Sequence, residues 1–354
     1  MHLGLDVREA CKPKRTGKGQ WTYGLLEELL RREHQLTLFV DTELPPELKR
    51  LVVSHRTPVR TVITPQQGFA WHRAVASQLR ANKTLDAYLS PTSYIVPALA
   101  GKKMKCVPVV HDLIAFRGEP HDKRAQWIER FTLRRAMKLA YRVCTVSEAT
   151  KADLLARYPS LDATKVHAIF AGVAKTAAEP AKPDSKTIVC LGTLCPRKNQ
   201  LSLIKAFDAL PGSLQAKLVL IGGRGWDDEP IVHAAKMTSG VTWKGYVEAE
   251  ELSTILSTAT VLALPSHYEG FGLPLLEAMR AGIPVLTADR GSLREVAGDA
   301  AVYVDPSRVE SIRDGLQSLL TDEKLRKELI AKGRERLKRF SWERTVDLLI
   351  EAIH

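Results

Sequence analysis

Residues 264–277 of this chain read LPSHYEGFGLPLLE, and this stretch decides which fold we expect. An apolar run ends at Leu264, and a loop with two glycines follows it. Pro274 then stands near the first turn of a predicted helix, where its missing N–H costs no hydrogen bond. Gly270 and Gly272 allow the backbone to approach a ligand closely, and the N–H groups at a helix start attract anions. The stretch therefore predicts a strand, an anion-binding loop and a helix.

The same alternation of apolar runs and helical patterns extends outward along most of the 354 residues. It predicts parallel sheets that are covered by helices on both faces, with ligands at the carboxyl ends of the strands. We expect an α/β protein with two doubly wound, Rossmann-like domains that face a central cleft. The predicted strands are 2–7, 36–40, 107–110, 142–146, 166–170, 187–191, 217–221, 241–243, 260–264, 284–287 and 301–304.

Residues 174–186 (AKTAAEPAKPDSK) interrupt this alternation, because they are rich in Pro, Ala and Lys and have no apolar period. We place a linker at 176–186. An N-terminal domain then covers residues 1–175, and a C-terminal domain of similar size covers residues 187–339.

The composition excludes several classes of protein. No run reaches the roughly 18 apolar residues of a membrane span, and the first residues lack the regions of a signal peptide. The five cysteines are scattered, without the C-x₂-C spacing of a zinc or redox site. We therefore expect a soluble cytoplasmic protein without a structural metal.

The net charge of +12 lies entirely in the first half of the chain. Residues 1–170 hold 28 Lys and Arg against 16 Asp and Glu, whereas residues 171–354 hold 24 of each. Two interpretations stay open: an anionic partner for the first domain, or a charge that only serves solubility. The candidate contacts are Lys12, Lys14, Arg15, Lys18, Lys102, Lys103 and Lys105.

A second anion site is predicted at residues 192–199 (GTLCPRKN), which follow an apolar strand and open a helix with Asn199 as a plausible N-cap. Arg197 and Lys198 are adjacent cations at this helix start. They suit a diphosphate leaving group, whose developing charge they would stabilise. A solvated basic turn is the alternative interpretation.

Two carboxylates, Glu269 and Glu277, flank the first anion site, where they suit sugar hydroxyls better than phosphate. Their spacing, within EGFGLPLLEAMRAGIPV, resembles the E-x₇-E signature of glycosyltransferase family 4, the retaining group 1 enzymes of GT-B fold. The resemblance implies that Glu269 contacts the donor sugar and Glu277 the ribose hydroxyls. Lys198 matches the family lysine. Many members have an arginine directly after the first glycine, where this chain has Thr193, and Arg197 stands beside the lysine instead.

The N-terminal half carries further resemblances. TGKGQWTY (16–23) resembles the family's glycine-rich loop, which implies that Gly17 and Gly19 face the donor phosphates. His111 follows a strand, so we expect it to be exposed at the sheet edge, and it matches a family histidine that touches the donor sugar. Asp112 is open to a turn role, and Glu148, after the predicted N-cap Ser147, is interpreted as structural.

Two segments of the C-terminal half also resemble the family. Residues 241–248 are similar to its base-binding loop, in which Tyr246 could cover the base or be an ordinary core or surface aromatic. FSWE (340–343) is similar to the chain end of the family, in which the last helix returns to the N-terminal domain. We therefore predict that residues 340–354 are a helix packed on that domain, with Ser341 as its N-cap.

The resemblance implies a retaining glycosyltransferase that moves a hexose, for example mannose or glucose, from a nucleotide-diphosphate sugar to a glycan or lipid-linked acceptor, in surface polysaccharide synthesis. The N-terminal domain would be the acceptor side. The predicted catalytic residues are His111, Glu269 and Lys198. The predicted donor-binding residues are Gly17, Gly19, Arg197, Lys198, Tyr246, Gly270, Phe271, Gly272, Leu273 and Glu277.

No metal or other cofactor is expected, since the D-x-D pattern between strand and loop is missing and Asp227-Asp228 lacks that context. The basic first domain suits peripheral contact with an anionic membrane on the cytoplasmic face. Two alternatives remain: a sugar-nucleotide epimerase of GT-B shape and a basic nucleic-acid-binding protein. The latter would need base-stacking aromatics, which form only 6% of the chain, and would leave the glutamate pair unexplained.

Overall fold

The computed structural model describes residues 1–117, 123–173 and 186–354. Within them the chain divides into two compact units, one of Met1–Gly172 with Ser341–His354 and one of Val173–Phe340. The predicted linker, 176–186, lies outside the described residues except for Lys186.

The described part of the first unit forms one sheet of seven parallel strands in the order β3-β2-β1-β4-β5-β6-β7. The strands are β1 (His2–Asp6), β2 (Gln35–Val40), β3 (Val59–Ile63), β4 (Ala87–Ser90), β5 (Cys106–Val110), β6 (Val143–Thr145) and β7 (Val166–Ala168). Its helices are α1 (Gly17–Leu29), α2 (Pro46–Val53), α3 (Gly68–Ala81), α4 (Ile95–Ala100), α5 (Lys123–Leu139) and α6 (Glu148–Arg157).

The second unit has six parallel strands over its described residues, in the order β10-β9-β8-β11-β12-β13. They are β8 (Thr187–Leu191), β9 (Lys217–Ile221), β10 (Val241–Trp243), β11 (Val261–Leu264), β12 (Val285–Ala288) and β13 (Ala301–Val304). The helices are α7 (Gln200–Asp208), α8 (Glu229–Met237), α9 (Ala249–Thr258), α10 (Leu273–Arg280), α11 (Leu293–Ala297), α12 (Val309–Thr321) and α13 (Glu323–Leu337). The final helix, α14 (Trp342–Ile353), belongs to the first unit.

The predicted α/β class with two Rossmann-like sheets is confirmed. Central strands such as β5 and β11 are buried along their whole length, as parallel strands covered on both faces must be. The sequence reasoning missed β3 and β4. β3 has only partly buried or exposed residues, and β4 is four residues long, so neither gives a clear apolar run.

Helix α14 packs against α1 of the first unit through Trp342. A Cβ atom placed on Gly24 of α1 would lie 2.2 Å from the Trp342 ring, and one on Gly172 would lie 2.2 Å from the Trp342 backbone nitrogen. These two glycines therefore leave the space that the indole occupies. The Ser341 hydroxyl accepts the Arg344 N–H at 3.2 Å, which confirms the predicted N-cap.

Across residues 1–117, 123–173 and 186–354, every helix is too short or too polar to span a bilayer.

Candidate active site

Two loops of the C-terminal unit start side by side at the point where the strand order reverses. Strand β8 ends at Leu191 and strand β11 at Leu264, and the two strands are parallel neighbours. The crevice at such a reversal is where ligands bind in doubly wound sheets. The predicted anion sites at 192–199 and 264–277 therefore share one edge of one sheet.

A buried ionic cluster joins these two loops. Lys198 Nζ lies 2.5 Å from Glu269 Oε1, and Arg197 Nη1 lies 3.1 Å from Glu269 Oε2. The three side chains are only 8–11% exposed. The Ser266 hydroxyl donates to Glu269 Oε1 at 2.8 Å, and Arg197 Nη1 donates to the Tyr268 carbonyl at 2.7 Å. Both predicted phosphate cations thus contact the carboxylate predicted for the donor sugar.

The cluster keeps Glu269 ionised. Burial acts to raise the pKa of its carboxyl, but the charges of Lys198 and Arg197 and the hydrogen bonds from Lys198 and Ser266 outweigh that effect, so the pKa lies below its ordinary value. Charge-assisted hydrogen bonds of this kind are short and strong in a site shielded from water. Glu269 is therefore a fixed negative charge held between two cations.

The loop that carries Glu269 is tied to its surroundings by two buried polar side chains. The Ser292 hydroxyl lies 3.0 Å from the Glu269 carbonyl oxygen and 2.8 Å from that of Phe271. Asn199 Nδ2 donates to the carbonyls of Pro265 at 3.1 Å and Pro306 at 2.7 Å. Asn199 does stand at the N-cap position of α7, but its side chain makes no capping hydrogen bond, because these carbonyls engage it. The predicted capping role was wrong.

The start of α10 has the geometry predicted for an anion site. Gly272, at the N-cap position, has φ 102°, a left-handed conformation that favours glycine. Pro274 stands in the first turn, and no side chain caps the helix. Gly270 and Phe271 lie between Glu269 and this N-cap, and Leu273 is the first residue of the helix. Backbone N–H groups at such a start carry partial positive charge.

Glu277 lies one turn into α10 and differs from Glu269. It is partly buried, and among the described residues its carboxylate has no hydrogen-bonding or ionic partner. Burial raises the pKa of its carboxyl, and the nearby charge of Arg280 offsets this only in part. The geometry leaves this carboxylate available to hydroxyl donors.

His111 in the N-terminal unit follows β5 as predicted, but it is buried (8% exposed), so the expected exposure was wrong. The edge of the Trp21 ring packs against it, with 5.3 Å between ring centroids. Its Nε2 lies 2.7 Å from the Pro91 carbonyl oxygen, which assigns the proton to Nε2. Burial, with a smaller contribution from Lys18, lowers the pKa of His111 to about 4, so its ring is neutral at pH 7.

The two glycines predicted for a loop, Gly17 and Gly19, instead form the first turn of α1. A Cβ atom on Gly19 would lie 2.7 Å from the Glu9 carbonyl oxygen, so the loop before the helix packs closely on this turn. Trp21 of the same helix contacts His111, which brings these predicted residues to one end of the first unit.

The structure also places the other residues that the sequence singled out. Tyr246 follows β10 and is 36% exposed. The Asp112 carboxylate accepts the Ile114 N–H at 3.1 Å, which is a turn role. Ser147 accepts the Thr150 N–H at 3.0 Å, which confirms this N-cap, and Glu148 is exposed.

Sequence reasoning missed the groups that hold the site. Ser266 stands three residues before Glu269, where a local hydrogen bond could have been anticipated. Ser292 lies 23 residues away from Glu269 and carries no signal in the sequence. Trp21, whose ring packs against His111, likewise carries no signal in the sequence.

Comparison with known proteins follows the same division of the chain. Residues 16–175 match the family model described as Glycosyltransferase Family 4, and residues 174–336 match Glycosyl transferases group 1. O-antigen chain mannosyltransferase B of Escherichia coli is 31% identical over 283 residues, which cover 75% of this chain and 73% of that protein. The serotype-specific mannosyltransferase WbdA of Escherichia coli is 32% identical over 171 residues, which cover 46% of this chain but only 21% of WbdA.

Solved structures show the fold. Sucrose-phosphate synthase from Thermosynechococcus elongatus superposes with a TM-score of 0.77 at 19% identity, over 99% of this chain and 98% of that one. HepE from Anabaena, solved in complex with UDP-glucose, gives 0.76 at 16% identity over the same shares.

The two Rossmann-like sheets and these matches together show a glycosyltransferase of GT-B fold. More narrowly, the chain belongs to the group 1 enzymes of glycosyltransferase family 4. The membership decides against the epimerase and nucleic-acid alternatives.

Proposed function

We propose that this enzyme is a retaining hexosyltransferase that takes mannose or glucose from a nucleotide-diphosphate sugar and transfers it to a glycan or lipid-linked acceptor in surface polysaccharide synthesis. The observation that carries the proposal is the buried cluster of Arg197, Lys198 and Glu269 beside the start of α10. The names of its relatives, an O-antigen chain mannosyltransferase and a serotype-specific mannosyltransferase, support the choice of sugar and pathway.

The cluster suits the departure of a nucleoside diphosphate. As the bond between the anomeric carbon and the phosphate oxygen breaks, its electron pair goes to the diphosphate. Lys198 has three N–H donors, so it can contact a phosphate without losing its hydrogen bond to Glu269. Arg197 adds a second positive charge. The N–H groups of residues 270–273 add the partial charge of a helix start.

The same contacts favour a mechanism without a covalent intermediate. Glu269 accepts hydrogen bonds from two cations and a hydroxyl, which makes it a poor nucleophile but leaves one of its roughly four lone-pair sites for a sugar hydroxyl. We propose instead that the acceptor hydroxyl attacks on the face that the diphosphate leaves. Its proton passes to the departing phosphate oxygen, and the anomeric configuration is retained.

The other predicted residues complete the donor site in this proposal. Glu269 orients hydroxyls of the sugar, and Glu277 accepts hydrogen bonds from the ribose. His111 contacts the sugar as a neutral imidazole, consistent with its lowered pKa. Gly17 and Gly19 approach the phosphates, and Tyr246 covers the base.

We also propose that the reaction needs no divalent cation or other cofactor, because Arg197 and Lys198 supply positive charge where the leaving group departs. Turnover should be the same with EDTA as with added Mg²⁺ or Mn²⁺. Loss of turnover with EDTA that Mg²⁺ restores would contradict this part.

Finally, we propose that the enzyme works on the cytoplasmic face of an anionic membrane, with the N-terminal unit as the acceptor side. The excess of basic residues in the first 170 positions supports this contact.

The test of the donor site is thermal unfolding with a panel of nucleoside diphosphates and nucleotide-sugars. A ligand that binds only the folded protein raises the melting temperature. We expect one base to shift the wild type and the shift to be lost in Glu277→Ala. Glu310→Ala, at an exposed position of α12, is the matched control and should keep it. No shift with any nucleotide would reject the assignment. For a donor that does bind, NMR of the product reports the anomeric configuration.

A further inference from the structure

Exposed apolar side chains of the first unit are concentrated on one helix. Eight large apolar residues are exposed among those the structure describes, and three of them fall within five consecutive positions of α5. They are Trp127 (73% exposed), Ile128 (43%) and Phe131 (61%). Single exposed apolar residues are ordinary, but a contiguous group marks a surface that binds something.

The outer face of α5 combines these aromatics with cations. Positions 127, 131, 134 and 138 share one helical face, so Trp127 and Phe131 continue into Arg134 and Lys138 along a stripe of about 16 Å. Glu129 projects from the opposite side of this helix. That side packs into the core through Leu133, Ala136 and Met137.

A groove of about 780 Å³ runs beside the stripe and adds further cations. Arg157, at the end of α6, lies 4.9 Å from the Phe116 ring, and Lys165 is exposed in the turn before β7. Asp162 also lines the groove, but its carboxylate accepts hydrogen bonds from the Thr164 N–H and hydroxyl. We call the combined area the α5 surface. It consists of Trp127, Phe131, Arg134, Lys138, Arg157 and Lys165.

The cations of the α5 surface form no salt bridge within the described part of the chain, although the charge of Lys165 adds to the Thr164 hydrogen bonds that lower the pKa of the Asp162 carboxyl. None of Arg134, Lys138, Arg157 and Lys165 lies within salt-bridge distance of a carboxylate there.

The patch expected from the sequence is different. Lys12 pairs with Glu9 at 2.5 Å, and Arg15 pairs with Glu47 at 2.6 Å while it stacks on the Tyr23 ring. Two of the seven cations expected from the sequence are therefore compensated within the first unit.

We propose that the α5 surface docks on an anionic lipid bilayer. Trp127 and Phe131 would enter the boundary between headgroups and acyl chains, and the four cations would contact lipid phosphates. Aromatic rings next to Lys and Arg on one exposed helix face are the composition of an interfacial helix. This inference locates the membrane contact of the proposed function and rests on it.

The experiment is flotation of the full chain with vesicles of phosphatidylglycerol and phosphatidylcholine, or of phosphatidylcholine alone, at low and high salt. Two double variants remove the two halves of the stripe: Trp127→Ser with Phe131→Ser, and Arg134→Glu with Lys138→Glu. Phe69→Ser is a control at another 61% exposed phenylalanine. Lys205→Glu with Lys236→Glu is a control that makes the same charge change on exposed helix positions of the second unit.

We expect binding to the anionic vesicles that weakens with salt. Each cation near an anionic surface strengthens binding about fivefold, so the charge variant should bind at least ~30-fold more weakly. The aromatic variant should bind at least ~10-fold more weakly. Both controls should match the wild type.

A second measurement does not depend on how the double variants fold. Addition of anionic vesicles should shift the tryptophan fluorescence of the wild type to shorter wavelength, and Trp127→Phe should lose most of that shift.

The proposal is wrong if the wild type does not bind anionic vesicles, or if the α5 variants bind them as strongly as their controls do. The nucleotide-induced thermal shift, measured without lipid on the same variants, tests the donor site separately. A protein that keeps this shift but fails to float would overturn the docking surface alone.

Discussion

The two units hold their charges in opposite ways. The C-terminal unit has almost no net charge in its sequence, yet two cations and a carboxylate are buried together at the carboxyl edge of its sheet. The N-terminal unit carries most of the positive excess, yet the histidine at the corresponding edge is neutral, and the outer face of α5 holds cations without a salt bridge among the described residues. Coulomb interactions strengthen as water is excluded, so position decides what a charge does and the net count does not. We expect chemistry from the buried charges and recruitment from the exposed ones.

The largest effect should come from Glu269→Ala, which leaves Arg197 and Lys198 buried without their carboxylate. Breaking such a pair costs about 3–5 kcal/mol of unfolding free energy. Glu277→Ala is the control, since that carboxylate has no partner in the described residues and its burial is already unfavourable. Denaturant unfolding at neutral pH measures both. If the two variants lose the same unfolding free energy, the ion pairs of Glu269 add nothing to the stability that an unpaired glutamate of this region provides.

The contribution of Glu269 to the unfolding free energy should depend on pH, and the direction of this dependence follows from its pKa. Because the folded pKa of Glu269 is lowered, its carboxylate stabilises the protein above its ordinary pKa of 4.5, and this stabilisation is lost as the pH falls through the lower folded value. The stability difference between wild type and Glu269→Ala should therefore shrink on acidification below pH 4.5.

A smaller effect on the unfolding free energy is expected from His111. This residue is buried and neutral, whereas the cations of the other unit are buried and charged. The folded pKa of about 4 lies below the ordinary 6.5, so the unfolded chain binds the proton more readily. Stability should fall by up to about 3 kcal/mol as the pH drops from 6.5 to 4. His111→Gln should lack this component, whereas His72, whose pKa is also about 4, contributes equally to both proteins. Parallel pH profiles for wild type and variant would contradict the assignment.

The smallest effect should follow from Arg134→Ala and Lys138→Ala on α5. Surface substitutions away from structural features change the unfolding free energy by no more than about 0.5 kcal/mol. Arg197→Ala should cost several times as much, because that arginine is 10% exposed and contacts Glu269. Thermal unfolding in the absence of lipid compares the three. A large loss at Arg134 or Lys138 would show that these cations have a structural role.

The parts of this molecule that were predictable from the sequence are local ones. The strand, loop and helix around Glu269 could be identified because their signals are consecutive, and the same holds for the cations at 197 and 198. The contact between Glu269 and Lys198 could not be predicted, because it spans 71 residues and depends on β8 and β11 being neighbours. The sequence reasoning assigned the two to different parts of the donor, whereas the structure joins them directly.

The burial of His111 was missed for the same reason. A residue that follows a strand is exposed only if nothing covers the end of the sheet. Here Trp21, which comes from a helix 90 positions earlier, covers the ring. The basic character of the first half was correctly counted, but only the folded chain distinguishes Arg15, which pairs with Glu47, from Arg134, which pairs with no carboxylate in the described residues.

The position of α14 has a consequence for synthesis on the ribosome. Trp342 fills the space left by Gly24 and Gly172, and its ring lies 6.2 Å from that of Trp21, which in turn packs on His111. The unit that begins with Met1 is therefore incomplete until residues 341–354 have been translated, after the whole second unit. Domains usually fold in the order of their synthesis, the N-terminal one first. In this enzyme the N-terminal unit emerges before the C-terminal unit but is completed after it, and His111 acquires its complete surroundings only when translation has passed residue 340.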